Sequence, residues 1–312
     1  MNYQKLLVID LKDKVFEWAT RIASLAMILL IFIMIFSIGY NAAPSIREFG
    51  WSFLTSRVWN PVQGVFGALP YIFGTLVSTA LALLLAGPLS LAAAIFLAEF
   101  APIRIKNLLG FLIDVLAAIP SIIYGLWGNF VLVPVLMKSF EPWLGKNLGF
   151  LPFFQGPPYG VGMLAAGIVL AIMISPVITV LCREVIGIVP GSQREAMLAM
   201  GATRWEVVKY TVLPYARQGI IGGFALGLGK AIGETLAVTM VIGNRPEISW
   251  SLFSPSHTMT SVIINEFAEA INPLHTAALI HIALLLFLIT LIINIIARVM
   301  IYRFRWRKEW SF

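Results

Sequence analysis

Residues 219–244 read GIIGGFALGLGKAIGETLAVTMVIGN, an apolar, glycine-studded run that carries Lys230 and Glu234 near its middle. A helix rises about 1.5 Å per residue, so Lys230 lies roughly 20 Å along a span beginning near Arg217, which is bilayer midplane depth. An isolated charge there costs at least about 2.5 kcal/mol, so such residues face a partner or an aqueous path. The function of the chain is expected to pass by these two side chains.

The rest of the composition agrees with a membrane setting. Of 312 residues, 59% are hydrophobic and 12% charged, and the mean hydropathy is +0.90. Soluble domains carry about 25% charged residues. Apolar runs of about 18 or more residues recur without the alternation of a barrel strand, so the fold class is all-α integral membrane. One cysteine, Cys182, excludes an internal disulfide framework. His257, His275 and His281 are scattered, without metal-site spacing, and read as satisfied polar residues near a membrane surface. Neither a metal nor a cofactor is expected. The formal charge of +7 sits mostly beside apolar spans, where it sets topology, and does not imply a nucleic-acid partner.

Six transmembrane helices are expected, at Thr20–Tyr40, Pro70–Leu97, Leu108–Met137, Tyr159–Leu181, Arg217–Ile242 and Thr276–Ile301. Pro120 must break or kink the third. The first follows Lys5, Lys12, Lys14 and Arg21 and reads as a retained anchor, because its apolar run is about twenty residues and no clear cleavage site follows. Sixteen lysines and arginines fall on one side of this arrangement and five on the other, which puts both termini and the 182–216 loop in the cytoplasm. Residues 1–65 form the N-terminus, first helix and external segment; 66–302 form a core of five helices; 303–312 form a basic tail. Outside, the aromatic, proline-rich 138–158 stretch suits either a docking hairpin or an aromatic belt. Residues 257–272 place Val262, Ile263, Phe267 and Ile271 at near-helical spacing, as in an amphipathic helix lying on the outer surface.

The 189–214 segment predicts a helical elbow. Ser192 with Glu195, and Thr203 with Glu206, have capping-box spacing, and Gly201 is placed to end the first arm in a left-handed conformation. By chemistry alone this is either a stiff connection or a docking element. Glu195-Ala196-Met197, three residues, Gly201, nine residues, then Thr211-Val212-Leu213-Pro214 resembles the EAA loop of ABC-type importer permeases, departing from it at Met197 and Thr211. In that family the elbow docks on a cytoplasmic ATPase, so the resemblance implies that Glu195, Ala196, Gly201, Leu213 and Pro214 serve coupling.

Three further stretches resemble phosphate permeases of the PstC type, over about residues 65 to 300. They are Ala118–Gly128, Gly227–Asn244 and Thr260–Ala270. The resemblance implies a type I ABC importer permease fold. It also implies a sister permease of the PstA type, two ATPases of the PstB type and an external phosphate-binding protein of the PstS type, all beside membrane lipid. One departure is Lys230, where the family usually has arginine, a planar fork in place of a compact point charge. ATP chemistry belongs elsewhere, because Gly145-Lys146-Asn147 and Gly229-Lys230-Ala231 lack the Ser or Thr that follows a phosphate-loop lysine. The chain reads as a transport subunit and not an enzyme.

Lys230 and Glu234 are four residues apart, on one face of a continuous helix and able to pair. Gly219 and Gly223 fall within about 20° of Lys230's direction, which would place the charges at a helix–helix seam. Two readings stay open: a structural ion pair, or a substrate pathway of Lys230, Glu234 and Thr235 in which phosphate competes with Glu234. Permeases for sulfate or molybdate, and a proton-coupled carrier, are the alternative functions.

Overall fold

The computed structural model describes the backbone of residues 3–306 and the side chains of residues 13–302. Lys5, Lys12 and the basic tail from 303 onward lie outside the described side chains. Among the described residues there is no strand, only two isolated bridges, and the apolar segments satisfy their amides within helices, as a membrane requires.

In chain order, α1 spans Tyr3–Phe49 and α2 is the single turn Ser52–Thr55. Helix α3 (Leu69–Ile95) ends in a π-helical turn, Phe96–Phe100, and α4 covers Ile103–Ala118. Next come α5 (Ser121–Trp127), α6 (Val133–Val135) and α7 (Glu141–Leu148), joined by π-helical turns into one rod. Helix α8 (Met163–Gly187) leads to the elbow, α9 (Gly191–Ala199) and α10 (Arg204–Val207). Another π-helical turn, Val208–Val212, feeds α11 (Leu213–Ile232). The short α12 (Leu236–Val241) and α13 (Met259–Glu266) precede α14 (Pro273–Trp306).

Among the described residues, five helices are long and apolar enough to cross a membrane: Asp13–Phe49, Leu69–Phe100, Ser121–Leu148, Met163–Gly187 and Pro273–Tyr302. The expected third span is displaced. Proline cannot donate to the carbonyl four residues back, so α4 ends at Ala118 and the span begins at Ser121 instead of Leu108. The carbonyl so freed, on Leu116, accepts instead from the Tyr124 hydroxyl at 2.7 Å. The expected span Arg217–Ile242 is interrupted between α11 and α12.

The core is the α3–α8 pair, closely packed through small side chains. Ala82, Ala86, Ala165 and Ala166 are buried there, and Gly167 lies against the Leu81 side chain. Beside Pro176 the Ser90 hydroxyl donates to the Ser175 carbonyl at 3.2 Å, a cross-helix hydrogen bond between α3 and α8. A second apolar cluster joins Phe53, Phe66 and Tyr71 to Met259, Val262, Leu279 and Ile282. The predicted surface helix at 257–272 is therefore wrong in place. Met259 and Val262 are fully buried, and the first turn of α13 plugs the space between α3 and α14, while Ile264, and Phe267 and Ile271 beyond the helix, are exposed.

The histidines lie in this second region. His275 Nε2 is 2.9 Å from Glu266 Oε2, and His281 Nδ1 is 3.1 Å from the Ser45 hydroxyl and stacks on Phe53. His257 is buried with its Nδ1 unpartnered. No group of three or more His, Cys, Asp and Glu able to hold a metal occurs among the described residues.

Candidate functional site in the interrupted helix and elbow

Helix α11 approaches α8 through a glycine stripe. A Cβ on Gly219 would meet Val185 at 2.3 Å, on Gly223 the Cys182 sulfur at 3.3 Å, and on Gly227 Ile178 at 2.5 Å. Small residues at this spacing let backbones close up where lipid offers no hydrophobic drive for association. The seam expected from the sequence thus exists, and it lies within this subunit. The charges are not in it: Lys230 occupies the last turn of α11 and is exposed.

The helix ends at Ile232 with Gly233 as its C-cap, and the chain restarts at Leu236. Lys230 and Glu234 are therefore not on one continuous helix, and among the described residues no ion pair joins them. The Glu234 carboxylate turns the other way and accepts from the Ala237 amide at 3.3 Å, serving one of the amides that the first turn of α12 leaves unpaired. Thr235 sits at the N-cap position of α12, its hydroxyl donating to the Gly233 carbonyl at 3.3 Å. At the far end the Asn244 amide donates to the Thr239 carbonyl at 2.8 Å.

The interruption rests on α13. The Thr260 hydroxyl donates to the Glu234 carbonyl at 2.7 Å. Thr258 and Ser261 form a capping box at the start of α13, and the Met259 amide donates to the Thr75 hydroxyl on α3 at 2.9 Å. Four buried hydroxyls, on Thr260, Thr258, Ser261 and Thr75, thereby tie the unwound segment to α13 and α13 to α3. Sequence inspection missed this break, although its signal was present: glycine followed two residues later by threonine is a stop signal meeting a start signal.

The elbow is built largely as its residues dictate. Gly201 has φ +88°, and the Ala202 and Gly201 amides donate to the Met197 and Leu198 carbonyls at 3.2 and 2.9 Å, a Schellman motif closing α9. Met197 and Ala202, the two residues this motif brings together, are partly buried against the core. Thr203 and Glu206 form the expected capping box: Glu206 accepts from the Thr203 amide at 2.7 Å, and the Glu206 amide donates to the Thr203 hydroxyl at 3.3 Å. The Thr203 amide first, and then the Thr203 hydroxyl donating to the same carboxylate at 2.8 Å, hold the Glu206 carboxyl below the usual carboxylate range. The other expected box is absent. Pro190 is the N-cap of α9 and Ser192 already lies within the first turn, because proline's fixed φ begins the helix two residues early.

Glu195, Ala196 and Gly201 are all exposed on the elbow, beside the exposed apolar side chains Leu198, Met200 and Trp205. Leu213 is half-buried, and Pro214 stands in the first turn of α11. One residue was not singled out from the sequence. Arg194 is half-buried, 2.7 Å from the Glu99 carboxylate in the π-helical turn that ends α3. No local pattern announces a contact between positions 95 residues apart.

Residues 90–306 match the family described as binding-protein-dependent transport system inner membrane component. The chain is 44% identical over 297 residues to the phosphate transport system permease protein PstC of Mesorhizobium japonicum, covering 94% of this chain and 91% of that one. It is also 44% identical to the PstC protein of Haemophilus influenzae, covering 95% of each. Identity to the probable PstC protein of Methanocaldococcus jannaschii is 38%, covering 93% and 95%. Among solved structures, a bacterial ABC transporter that imports the acidic polysaccharide alginate superposes with a TM-score of 0.61 at 18% identity, covering 94% of this chain and 98% of that one. The MetNI methionine ABC transporter superposes at 0.55 and 16%, covering 79% and 99%. The chain belongs to the family of binding-protein-dependent transport system inner membrane components, as a PstC-type permease subunit of an ABC transporter.

Proposed function

We propose that this chain is the membrane subunit of an ATP-driven importer of inorganic phosphate. The observation that carries the reading is 44% identity, along nine-tenths of both chains, to a phosphate permease. The interrupted helix supports it physically. Lys230 is an exposed cation at the edge of an unwound segment, and irregular backbone inside a membrane is tolerated only where it is buried in protein or lines a cavity.

In this reading Lys230 attracts phosphate in transit, and Thr235 and Glu234 border its path. Glu234 is engaged with the α12 amide, so phosphate reaches Lys230 without first displacing a counter-ion. The exposed elbow face around Glu195, Ala196 and Gly201 receives a cytoplasmic ATPase of the PstB type. Two such ATPases act with a PstA-type permease and a PstS-type binding protein, the last docking near the exposed Phe150 and Phe153. Both termini face the cytoplasm, in agreement with the lysine and arginine bias.

Reconstitution with the partner subunits in liposomes tests the reading. ATP-dependent uptake of radiolabelled phosphate, resistant to a tenfold excess of sulfate and to an uncoupler, is the expected result. Uptake competed away by sulfate overturns the substrate, and uptake that survives ATP depletion overturns the energy source.

A further inference from the structure

The elbow is continuous with α8 through residues 188–190 and with α11 through the π-helical Val208–Val212, Met197 and Ala202 pack against the core, and the Arg194 side chain adds a polar tie to it. The Arg194 guanidinium spends its donors on three separate pieces of chain. Its Nη2 and Nε donate to Glu99 Oε1 at 2.7 and 3.3 Å, Nη2 also donates to the Ile186 carbonyl at 2.9 Å, and Nη1 donates to the Val189 carbonyl. Glu99 belongs to the wide turn ending α3, and Ile186 to the last turn of α8, whose carbonyls have no helical partner and favour a cation. Arg194 therefore ties α9 to both members of the central helix pair at once.

The tie is not backed by tight packing. A cavity of about 130 Å³ lies between α9, α10 and the end of α3, lined by Phe100, Leu198, Val207 and Val208 around the ion pair. Met197 and Ala202 pack the elbow against the core elsewhere, and on the cavity side the polar tie is what joins α9 to the end of α3. The guanidinium suits this, because its planar fork holds several acceptors in one geometry and does not deprotonate. The Glu99 end of the tie is π-helical, as is the Val208–Val212 junction into α11, and such turns recur at functional positions of helices.

We infer that Arg194 and Glu99 form a coupling clamp, through which displacement of the elbow moves α3 and α8 together as well as α11. The inference rests on the reading that the elbow docks an ATPase. Both residues are positioning residues, since neither touches phosphate or ATP.

The test uses the whole complex, purified with its ATPase and permease partners and reconstituted in liposomes, and measures phosphate transported per ATP hydrolysed. Glu99→Gln is expected to keep the partners copurifying and ATP hydrolysis within about twofold, while transport per ATP falls at least about tenfold. Glu99→Asp, which keeps the charge, is expected to recover most of that ratio. Arg194→Lys keeps the charge but cannot span three acceptors, and is expected to fall between. An unchanged ratio in Glu99→Gln overturns the clamp. Lost copurification in Glu99→Gln and in Arg194→Lys alike makes the pair merely structural and also overturns it. Failure of the wild-type complex to retain any ATPase overturns the docking reading itself, and the clamp with it.

Discussion

The Thr260 hydroxyl donates to the backbone carbonyl of Glu234 at 2.7 Å, so the interruption between α11 and α12 is held by the first turn of α13. The bond spans 26 residues of sequence and serves a carbonyl in the unwound segment, outside any helix. In a membrane interior an unserved carbonyl costs several kcal/mol, which makes this hydroxyl part of the reason the break persists.

Thr260→Val keeps the side-chain shape and removes the donor. It is expected to destabilise the complex by about 1–3 kcal/mol and to slow phosphate uptake, with Thr260→Ser near wild type. Thermal unfolding in detergent and uptake in liposomes check the two effects.

Lys230 is exposed at the edge of the same break, without a carboxylate partner among the described residues. Lys230→Gln is expected to abolish uptake while the subunits still copurify; lost assembly would favour a structural role. Lys230→Arg is expected to retain activity, because in this geometry the requirement is a cation and not a lysine–glutamate pair.

The glycine stripe separates positions that tolerate a methyl group from those that do not. Gly227→Ala places a carbon 2.5 Å from Ile178 and is expected to cost about 1–3 kcal/mol as α8 and α11 part. Gly222 has nothing within 4 Å of the same position, and Gly222→Ala is expected to stabilise α11 by up to about 1 kcal/mol. Unfolding midpoints of the two variants, measured side by side, give the contrast.

Glu206 has its carboxyl held low by the Thr203 amide, so its contribution to the elbow is present above the ordinary carboxylate pKa of about 4.3. That contribution is lost as pH falls through the depressed folded value. The protection of amides at the start of α10, their exchange relative to an unstructured chain at the same pH, is expected to fall as the pH drops below the ordinary carboxylate range, and Thr203→Ala to bring that onset to a higher pH. Exchange rates followed by mass spectrometry across this range provide the check.

Much of the elbow was legible because its determinants are local. A left-handed glycine after α9 and a threonine three residues ahead of a glutamate are read from neighbours in sequence. The missed cap at Ser192 shows the limit even there, since Pro190 competes for the same helix start. The break at Gly233–Thr235 carried a readable signal that the apolar character of the surrounding run obscured. The α13 plug was misplaced because an apolar stripe at helical spacing does not tell lipid from a neighbouring helix as the surface that covers it.

The sequence by itself determined the solvent and the element type: long apolar runs have no water for their amides, so they become membrane-crossing helices, and Pro120 and Gly201 mark the ends of the helices before them. Only the tertiary structure decided which faces meet. That Gly219, Gly223 and Gly227 close on α8, that Thr260 serves Glu234, and that Arg194 reaches Glu99 are all contacts between distant segments. Each depends on how whole helices pack, a property of many side chains at once that no local stretch of residues contains.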